Sequence, residues 1–435
     1  MKGSVGREIH TMRILWVKSG GLVPIDHGGK IRSFQIAKVL ASSHDLTLFT
    51  FDEASNEAAH TELKGIFSDV IFVPLVVPNR KSFGEYLAYA KNLFSMHPYS
   101  ERKYCQPHIA RKLREHLLQQ SYDVIVCDFL LTAGVIPWDL PGLRVLFTHN
   151  IEAQIWKRHF QVAQNPIWKA ACYREFRTME RMEHHYLNSA EHVLAVSEAD
   201  REAFATVISK SKISVVPTGV DSEYFRPMPE REEPNTLVFT GSMDWMPNED
   251  GIFYFVREVL PLIREEISDV NLWVVGRRPS AKLRKLAEQI PGLTVTGRVE
   301  DIRPYMAKAS VYVVPLLVGG GTRLKIFEAM AMGKAVVSTS IGAEGLPVVP
   351  GRDIVLADQS KDFADQTVAL LRNAAKREEL GGSARRLVER NYSWSAVGAR
   401  LSEDLTNLAQ RFQTMSDGGL TLKHSTDTVG VISER

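Results

Sequence analysis

The chain has 435 residues, of which 44% are hydrophobic and 24% are charged, and its formal net charge at pH 7 is +2. This length exceeds that of one ordinary core and predicts two or three domains, while the composition is typical of soluble globular proteins. The small net charge excludes a strongly basic nucleic-acid-binding protein as the default interpretation, so we predict no nucleic-acid partner.

Cysteine usage and the apolar runs indicate the compartment. Cys105, Cys127 and Cys172 are far apart, which is typical of a reducing compartment and lacks the spacing of metal ligands. The longest apolar run, residues 70–78, has the length of a strand and not of a membrane span. The N-terminal segment lacks the apolar core of a secretory signal. We therefore expect a cytoplasmic protein with a flexible N-terminus at residues 1–11.

The first half of the chain alternates short apolar runs with amphipathic stretches. Strands are predicted at residues 12–18, 46–51, 70–77, 124–129, 145–148, 192–196 and 213–216. This alternation predicts an α/β fold with a doubly wound parallel sheet, whose ligands bind at the carboxyl ends of the strands. Gly28 and Gly29 follow the first strand, where such a sheet has its anion-binding turn. The alternative for these glycines is a simple flexible loop.

A second series of strands begins after the proline-rich segment at residues 226–229. These strands are predicted at residues 237–241, 271–276, 293–297, 311–317, 335–339 and 354–357, which indicates a second sheet of the same class. Helices are predicted between them, notably at residues 249–264, with Asn248 as the N-cap. Ser393 is the predicted N-cap of a last helix at residues 394–412. Residues 413–435 are rich in Ser, Thr, Gly and Asp and are expected to be disordered.

The most informative segment spans residues 319–339. An apolar strand runs into three glycines, and a helix opens directly after them. Glycine N–H groups and a helix N-terminus together form an anion-binding site. Arg323 and Lys325 add two cations, and Glu328 shares a helix face with Lys325. These features predict a ligand with a diphosphate and a vicinal diol, which is a nucleotide sugar. The alternative is an ordinary glycine-rich turn followed by a solvated Lys–Glu pair.

With both sheets assigned, the motifs resemble those of GT-B glycosyltransferases, specifically the retaining family 4, also called glycosyl transferases group 1. The resemblance covers residues 12–412. The segments that carry it are Val-Val-Pro-Thr-Gly-Val-Asp at 215–221, Val-Phe-Thr-Gly-Ser at 238–242, Val-Gly-Arg at 275–277 and Thr-Gly-Arg-Val at 296–299. The segment Asp-Trp-Met-Pro-Asn at 244–248 is further similar to members associated with bacterial exopolysaccharide synthesis.

The resemblance implies two Rossmann-like domains that face each other across a cleft. Residues 12–225 would bind the acceptor, residues 226–393 would bind the nucleotide sugar, and the helix at 394–412 would pack back toward the N-terminal domain. The implied reaction moves a hexosyl or other glycosyl group from a nucleotide diphosphate sugar to a glycan or a lipid-linked saccharide, with retention of anomeric configuration. The implied setting is polysaccharide or glycoconjugate biosynthesis. No cofactor and no metal are expected.

The resemblance also implies roles for individual residues. His149 would lie beside the transferred sugar and, with Arg323 and Lys325, would form the catalytic set; the alternative for His149 is a packed histidine that is hydrogen-bonded locally. The residues expected to bind the nucleotide sugar are Gly28, Gly29, Gly241, Ser242, Arg298, Val299, Gly320, Gly321, Thr322, Arg323, Lys325 and Glu328.

Two departures from the family pattern keep other functions open. Position 320 is glycine where the family usually has glutamate, and the turn that contains Gly241 and Ser242 lacks the usual cations. The diphosphate charge would then fall to Arg323 and Lys325. The alternatives are a nucleotide-sugar epimerase of the same fold and a catalytically inactive GT-B binding subunit.

Residues 80–114 are rich in basic and aromatic side chains. Cations around an apolar body suit a membrane surface or an anionic lipid-linked acceptor. Peripheral contact with the inner face of the membrane is therefore a further hypothesis. The alternative is an amphipathic helix that covers the N-terminal sheet.

Overall fold

The computed structural model describes residues 11–23, 25, 28–52, 57–77, 82–93, 95–163, 165–229, 231–318 and 324–424. The chain divides into two compact units. The first unit comprises the described residues up to Pro217 together with those from Gly398 onward, and the second unit comprises Thr218–Val397. Each unit contains one parallel β-sheet with α-helices between most successive strands.

The first unit has a seven-stranded sheet in the order β3-β2-β1-β4-β5-β6-β7. Its strands are β1 (Arg13–Ser19), β2 (Asp45–Asp52), β3 (Asp69–Pro74), β4 (Val124–Asp128), β5 (Leu143–Phe147), β6 (His192–Ala195) and β7 (Ile213–Val215). All residues of β4 and β5 are buried, as expected for parallel strands that are covered on both faces.

The helices of the first unit connect these strands. They are α1 (Gly28–Ala41), α2 (Glu57–Lys64), α3 (Phe83–Asn92), α4 (Tyr99–Tyr104), α5 (Pro107–Gln119), α6 (Glu152–Val162), α7 (Pro166–Ser189) and α8 (Glu198–Phe204). Side-chain caps start several of them: Ser82 accepts from the N–H of Glu85 at α3, and Asn165 accepts from the N–H of Trp168 at α7.

The second unit has a six-stranded sheet in the order β10-β9-β8-β11-β12-β13. Its strands are β8 (Thr236–Thr240), β9 (Asn271–Val275), β10 (Leu293–Gly297), β11 (Val311–Val314), β12 (Val336–Ser338) and β13 (Val355–Leu356). Its helices are α9 (Met246–Tyr254), α10 (Leu260–Glu266), α11 (Ala281–Gln289), α12 (Arg303–Lys308), α13 (Leu324–Ala331), α14 (Ser360–Arg372) and α15 (Ala374–Asn391), and a last helix, α16 (Trp394–His424), follows.

Each sheet contains one point where the strand order reverses. In the first unit the chain moves outward from β1 to β3 and then returns to place β4 on the other side of β1. In the second unit β8 and β11 are neighbours in the same way. Open α/β sheets bind ligands outside the carboxyl ends of the strands at such a point. The predicted doubly wound sheets are therefore confirmed. Ligand-binding residues are expected at the carboxyl ends of β1 and β4 in the first unit and of β8 and β11 in the second.

Several predicted boundaries need correction. The strand predicted at residues 311–317 ends at Val314, because Pro315 has no N–H to continue the ladder. Asn248 is not an N-cap: α9 already begins at Met246, after Trp245. Helix α16 continues to His424, whereas the sequence predicts a disordered tail from residue 413. Residues 1–10 and 425–435 lie outside the described part of the chain.

The boundary between the units differs from the predicted boundary at residue 225. The second unit begins at Thr218 because the segment that follows Pro217 is bonded to the C-terminal part of that unit. The N–H of Val220 donates to the carbonyl of Tyr392 at 2.7 Å, and the N–H of Trp394 donates to the carbonyl of Val220 at 3.1 Å. Within the first unit, Gly398 packs so closely on Val39 that an added Cβ would lie 2.3 Å from Val39 Cγ1.

Candidate functional site

Asp128 is the central charged residue of the first unit. It is the last residue of β4, and its side chain is fully buried. Trp16 Nε1 on the neighbouring strand β1 donates to Asp128 Oδ2 at 2.9 Å, and Lys18 Nζ lies 3.8 Å from the same oxygen. A buried carboxylate requires such partners, because burial without them would be strongly unfavourable. The point of strand-order reversal therefore holds an anchored negative charge.

His149 lies beside Asp128. It follows β5, it is 4% exposed, and its Nε2 lies 2.6 Å from Asp128 Oδ1. An ionised carboxylate only accepts hydrogen bonds, so Nε2 carries the proton, and Nδ1 of the neutral ring is then an acceptor. Nδ1 has no hydrogen-bond partner among the described residues. The imidazole is held between the rings of Phe147 and Phe129, at centroid distances of 4.8 and 5.6 Å.

Burial and neighbouring charges set the protonation states of this pair. Burial is the main cause that lowers the pKa of His149, and Arg32 and Lys18 lower it further, against the opposing effect of Asp128. Burial alone would raise the pKa of Asp128, but Lys18 and His149 hold it below its ordinary value. At neutral pH the pair is therefore a carboxylate and a neutral imidazole. A neutral imidazole can accept a hydrogen bond from a hydroxyl group.

Gly28 and Gly29 are the first two residues of α1, as the sequence suggests for an anion-binding turn. The first N–H groups of a helix have no partner within the helix and attract anions. The turn that directly follows β1 is formed by other glycines: Gly20 and Gly21 have φ angles of 77° and 67°. These left-handed conformations favour glycine.

In the second unit, Lys325 is held at the carboxyl end of β8. Its Nζ donates to Asn248 Oδ1 at 2.6 Å and lies 4.1 Å from the centroid of the Phe239 ring. The amide of Asn248 also donates to the carbonyl of Ser242 at 2.8 Å. A Cβ on Gly241 would lie 2.7 Å from Asn248 Nδ2 and 2.8 Å from Lys325 Nζ, so a larger residue here would displace the ends of these two side chains. Gly241, Ser242 and Lys325 therefore lie close together, with Asn248 between Ser242 and Lys325.

A cation that the sequence does not reveal lies at the same turn. Arg277 follows β9, and its Nε donates to Ser242 Oγ at 2.9 Å. The close approach of the two turns depends on Gly276, whose φ is 157° and where a Cβ would lie 1.7 Å from the carbonyl oxygen of Gly241. The turn at residues 241–244 itself contains no cation, as the sequence states, and Arg277 reaches it from the turn that follows the neighbouring strand.

Glu328 lies on α13, one turn after Lys325. Burial raises the pKa of Glu328 to about 7, and the nearby Lys325 opposes this shift. Burial therefore favours the protonated form of this carboxyl group more than in an exposed glutamate. A ligand that donates hydrogen bonds to the carboxylate would favour loss of the proton.

The remaining predicted residues fall elsewhere or outside the described chain. Arg298 and Val299 follow β10, an edge strand that β9 separates from β8. They are therefore not neighbours of Gly241 in the sheet. The predicted residues Gly320, Gly321, Thr322 and Arg323 lie outside the described residues.

The described part of the chain contains neither a metal-binding cluster nor a membrane-spanning helix. There, no group of three or more His, Cys, Asp or Glu side chains is arranged to hold a metal ion. Over the same residues, none of the helices has the length and apolar character needed to cross a membrane.

Two family models match the two sheets. Residues 28–224 match the model described as Glycosyltransferase Family 4, and residues 234–373 match the model described as Glycosyl transferases group 1. The chain belongs to this family of glycosyltransferases. The glycosyltransferase activity implied by the resemblance is thereby supported at the level of the family.

The relatives of this glycosyltransferase align with it over different shares of its length. A Klebsiella pneumoniae protein, described as an uncharacterized 44.6 kDa protein in cps region, is 24% identical over 400 residues, which are 88% of this chain and 97% of that protein. A phosphatidyl-myo-inositol mannosyltransferase of Mycobacterium leprae is 29% identical over 217 residues, which are 48% of this chain but only 57% of that enzyme.

Solved structures show that the fold is shared. Anabaena Alr3699/HepE in complex with UDP superposes with a TM-score of 0.63 at 15% sequence identity, over 91% of this chain and 100% of that one. The predicted GT-B class, with two parallel-sheet α/β domains, is confirmed.

Sequence reasoning missed the residues that position the predicted ones. Asp128 contacts His149 and is itself held by Trp16 and Lys18. Asn248 contacts both Lys325 and Ser242, and Arg277 contacts Ser242. A signal existed for Asp128, because it is an acidic residue at the end of an otherwise apolar strand. Burying its charge there costs free energy unless the carboxylate has a partner. For the other residues, local sequence contains no comparable signal in this glycosyltransferase.

Proposed function

We propose that this glycosyltransferase transfers a sugar from a nucleotide diphosphate sugar to an acceptor, with retention of anomeric configuration. The observation that carries the proposal is the position of two polar clusters, Asp128 with His149 in the first unit and Asn248 with Lys325 in the second. Each cluster adjoins the carboxyl end of a strand at or beside the point of strand-order reversal, where open α/β sheets bind ligands. In this proposal the first unit binds the acceptor and the second unit binds the donor.

The donor site would use the charges around α13. Negative charge builds on the diphosphate as the glycosidic bond breaks, so cations beside it stabilise the transition state more than the ground state. Lys325 and Arg323 would supply that charge, with Arg277 as a further cation near Ser242. Glu328 would accept hydrogen bonds from the ribose hydroxyls, because a carboxylate has acceptors for both.

His149 would contact the transferred sugar. Its Nδ1 is buried and has no partner among the described residues, so a sugar hydroxyl can donate to it. The lowered pKa of His149 favours this acceptor role over general base work. Asp128 would act through His149 by holding the ring in one tautomer and one orientation.

Glycine at position 320 distinguishes this chain from most members of the family. We infer that backbone N–H groups of Gly320 and Gly321 take over the contact that a glutamate usually makes. If they did not, the chain would be the inactive binding subunit named above. The nucleotide-sugar epimerase would instead convert its donor without any acceptor.

The biological setting is inferred from relatives. The Klebsiella pneumoniae relative is described by its cps region and the Mycobacterium leprae relative as a phosphatidyl-myo-inositol mannosyltransferase, which supports polysaccharide or glycoconjugate biosynthesis and a glycan or lipid-linked acceptor. UDP bound to Anabaena HepE supports a nucleoside diphosphate donor. The cytoplasmic location and the peripheral membrane contact stay predictions.

Turnover measurements test the proposal. Thermal-shift screening with UDP, GDP, ADP and dTDP and their sugars selects the donor, and release of free nucleotide with an acceptor fraction then measures transfer. Transfer predicts acceptor-dependent release and an α-linked product from an α-linked donor. Formation of an epimeric donor without acceptor would support the epimerase, and binding without any turnover would support the inactive subunit.

Metal independence is part of the proposal and has its own test. Because cations of the protein would neutralise the diphosphate, activity should survive EDTA. Complete loss on chelation, restored by Mg²⁺ or Mn²⁺, would contradict this form of leaving-group stabilisation.

A further inference from the structure

A groove lies beside the carboxyl end of β3 in the first unit, apart from the Asp128–His149 pair. It has a volume of about 250 Å³ and runs between the segment after β3 and helices α3 and α4. Its apolar side is formed by Val76, Val77 and Ala88. Gln106 also lines it, and its side-chain amide donates to the carbonyl of Val76 at 2.6 Å. We call this feature the α3–α4 groove.

Two buried polar atoms in the α3–α4 groove lack a hydrogen-bond partner among the described residues. They are Asn92 Oδ1 and Tyr99 Oη, and both residues line the groove. Asn92 is only 2% exposed, and its Nδ2 donates to the carbonyl of His97 at 3.1 Å. That bond fixes the orientation of the amide, because the amide nitrogen of Asn92 can donate to a carbonyl and its amide oxygen cannot. Buried polar atoms normally have partners, so these two atoms indicate a ligand that supplies them.

The charged residues of the groove are basic. Lys91 and Arg102 line it, are exposed, and form no ion pair with any described residue. Lys103 also lines it but lies 3.5 Å from Glu85 Oε1, so its charge is partly neutralised. The cations available to a ligand are therefore Lys91 and Arg102, and arginine can bind two oxygens of a phosphate at once.

We propose that the α3–α4 groove binds a phosphorylated saccharide. The phosphate would bind Lys91 and Arg102, a sugar hydroxyl would donate to Asn92 Oδ1, and Tyr99 Oη would complete the polar contacts. The C–H face of the sugar ring would pack on Val76, Val77 and Ala88. A neutral sugar would leave the cations unused, and inorganic phosphate at neutral pH would leave the apolar side empty.

This inference rests on the proposed function in one respect: the phosphorylated saccharide would be part of the acceptor that the first unit binds. The groove itself can be tested without turnover. Equilibrium titration of the full chain with glucose 1-phosphate, glucuronate and glucose measures binding in the absence of any donor. The phosphate ester should bind most tightly, glucuronate more weakly and glucose most weakly.

Charge-removing variants assign the binding to the groove. Lys91→Gln with Arg102→Gln should weaken glucose 1-phosphate binding at least about tenfold, because two charge-assisted hydrogen bonds are lost. The matched control is Arg111→Gln with Lys112→Gln on α5, which removes the same charge from exposed residues outside the groove and should leave the affinity unchanged.

Tyr99→Phe separates ligand binding from structure. The hydroxyl has no partner among the described residues, so its removal should not lower the melting temperature, yet it should weaken glucose 1-phosphate binding several-fold. Equal affinities of wild type, Tyr99→Phe and the Lys91/Arg102 variant would overturn the proposal.

The alternative ligand for Lys91 and Arg102 is the anionic surface of a membrane. Cosedimentation with phosphatidylglycerol vesicles distinguishes it. Loss of vesicle binding in the Lys91/Arg102 variant, with unchanged affinity for glucose 1-phosphate, would assign the groove to lipid and overturn the saccharide. If the wild type showed no donor turnover but the groove variants still bound glucose 1-phosphate more weakly than the wild type, only the proposed transfer reaction would be contradicted.

Discussion

His149 donates from Nε2 to Asp128 Oδ1 across 2.6 Å, and this contact joins the carboxyl ends of the neighbouring strands β4 and β5. It fixes the tautomer of the imidazole and leaves Nδ1 as the acceptor. Lys18 and Trp16, which are far from both residues in the chain, also contact the carboxylate of Asp128. The role proposed for His149 thus depends on three strands at once.

We expect His149→Ala to lower kcat about tenfold or more while the Kd of the bare nucleotide changes little, because the proposed partner of His149 is the sugar. Kinetics and calorimetry on the same variant check this split. His192→Ala is a suitable control, since it removes another buried histidine, at the start of β6, that bonds Ser214 at 2.9 Å. Lost nucleotide affinity in His149→Ala would assign the residue to a different subsite.

Asp128→Asn should lower turnover with His149 still present. An amide can donate as well as accept, so Nε2 is no longer held in the protonated form. Nitrogen NMR of the imidazole should show a single tautomer in the wild type and a mixture in the variant. An unchanged tautomer with reduced activity would mean that Asp128 acts otherwise than through His149.

Because the pKa of Glu328 is raised, we expect donor binding to depend on pH. Burial raises its pKa to about 7, and in the proposed donor site the ribose hydroxyls would donate to the carboxylate form. A proton must therefore leave Glu328 on binding below pH 7, so affinity should increase as pH rises to about 7 and level off above it. The ligand should be an intact nucleotide sugar, because a terminal phosphate titrates with a pKa of about 6 and would mask the effect.

Glu328→Gln is the control for this pH dependence. The amide keeps the size of the side chain but does not titrate over this range. The variant should bind the nucleotide sugar more weakly, by about tenfold, and with an affinity that no longer changes near pH 7. The same pH profile in wild type and Glu328→Gln would assign the titration to another group.

Arg323 and Lys325 should act mainly on the transition state. Arg323→Lys should already reduce kcat, because a lysine cannot reproduce the planar two-point grip of a guanidinium on phosphate. The double variant Arg323→Ala, Lys325→Ala should lose most activity. Lys361→Ala, which removes an exposed lysine paired with Asp365 on α14, should leave kcat and stability within about 0.5 kcal/mol of wild type. Near-wild-type turnover in the double variant would remove this account of leaving-group stabilisation.

Gly276→Ala should unfold or strongly destabilise the second unit, since its Cβ would lie 1.7 Å from the carbonyl oxygen of Gly241. Gly297→Ala is the matched comparison: its φ is 72°, but an added Cβ meets no atom within 4 Å. Only backbone strain of about 1–2 kcal/mol is expected there. Thermal unfolding of both variants checks the difference, and equal melting temperatures would show that the turns of β8 and β9 do not depend on this close approach.

The sequence alone was sufficient for the order of the strands along the chain and for the fold class, but not for all element boundaries. Apolar runs such as Val124–Asp128 and Asn271–Val275 contain their own signal, because strands of a parallel sheet are covered on both faces and need apolar residues throughout. Ser393 accepts from the N–H of Ala396 at the start of α16, as its residue type and position predict. Such interactions join residues that are close in the chain.

Only the tertiary structure brought the partners of the site residues together. Asn248 resembles a helix cap in sequence, but α9 begins earlier, and its amide instead joins Ser242 to Lys325, which is on another helix. Arg277 belongs to the site because β9 lies next to β8, and Asp128 meets His149 because β4 lies next to β5. Strand order decides these neighbours, and strand order depends on the packing of the whole sheet and not on the side chains of any single strand.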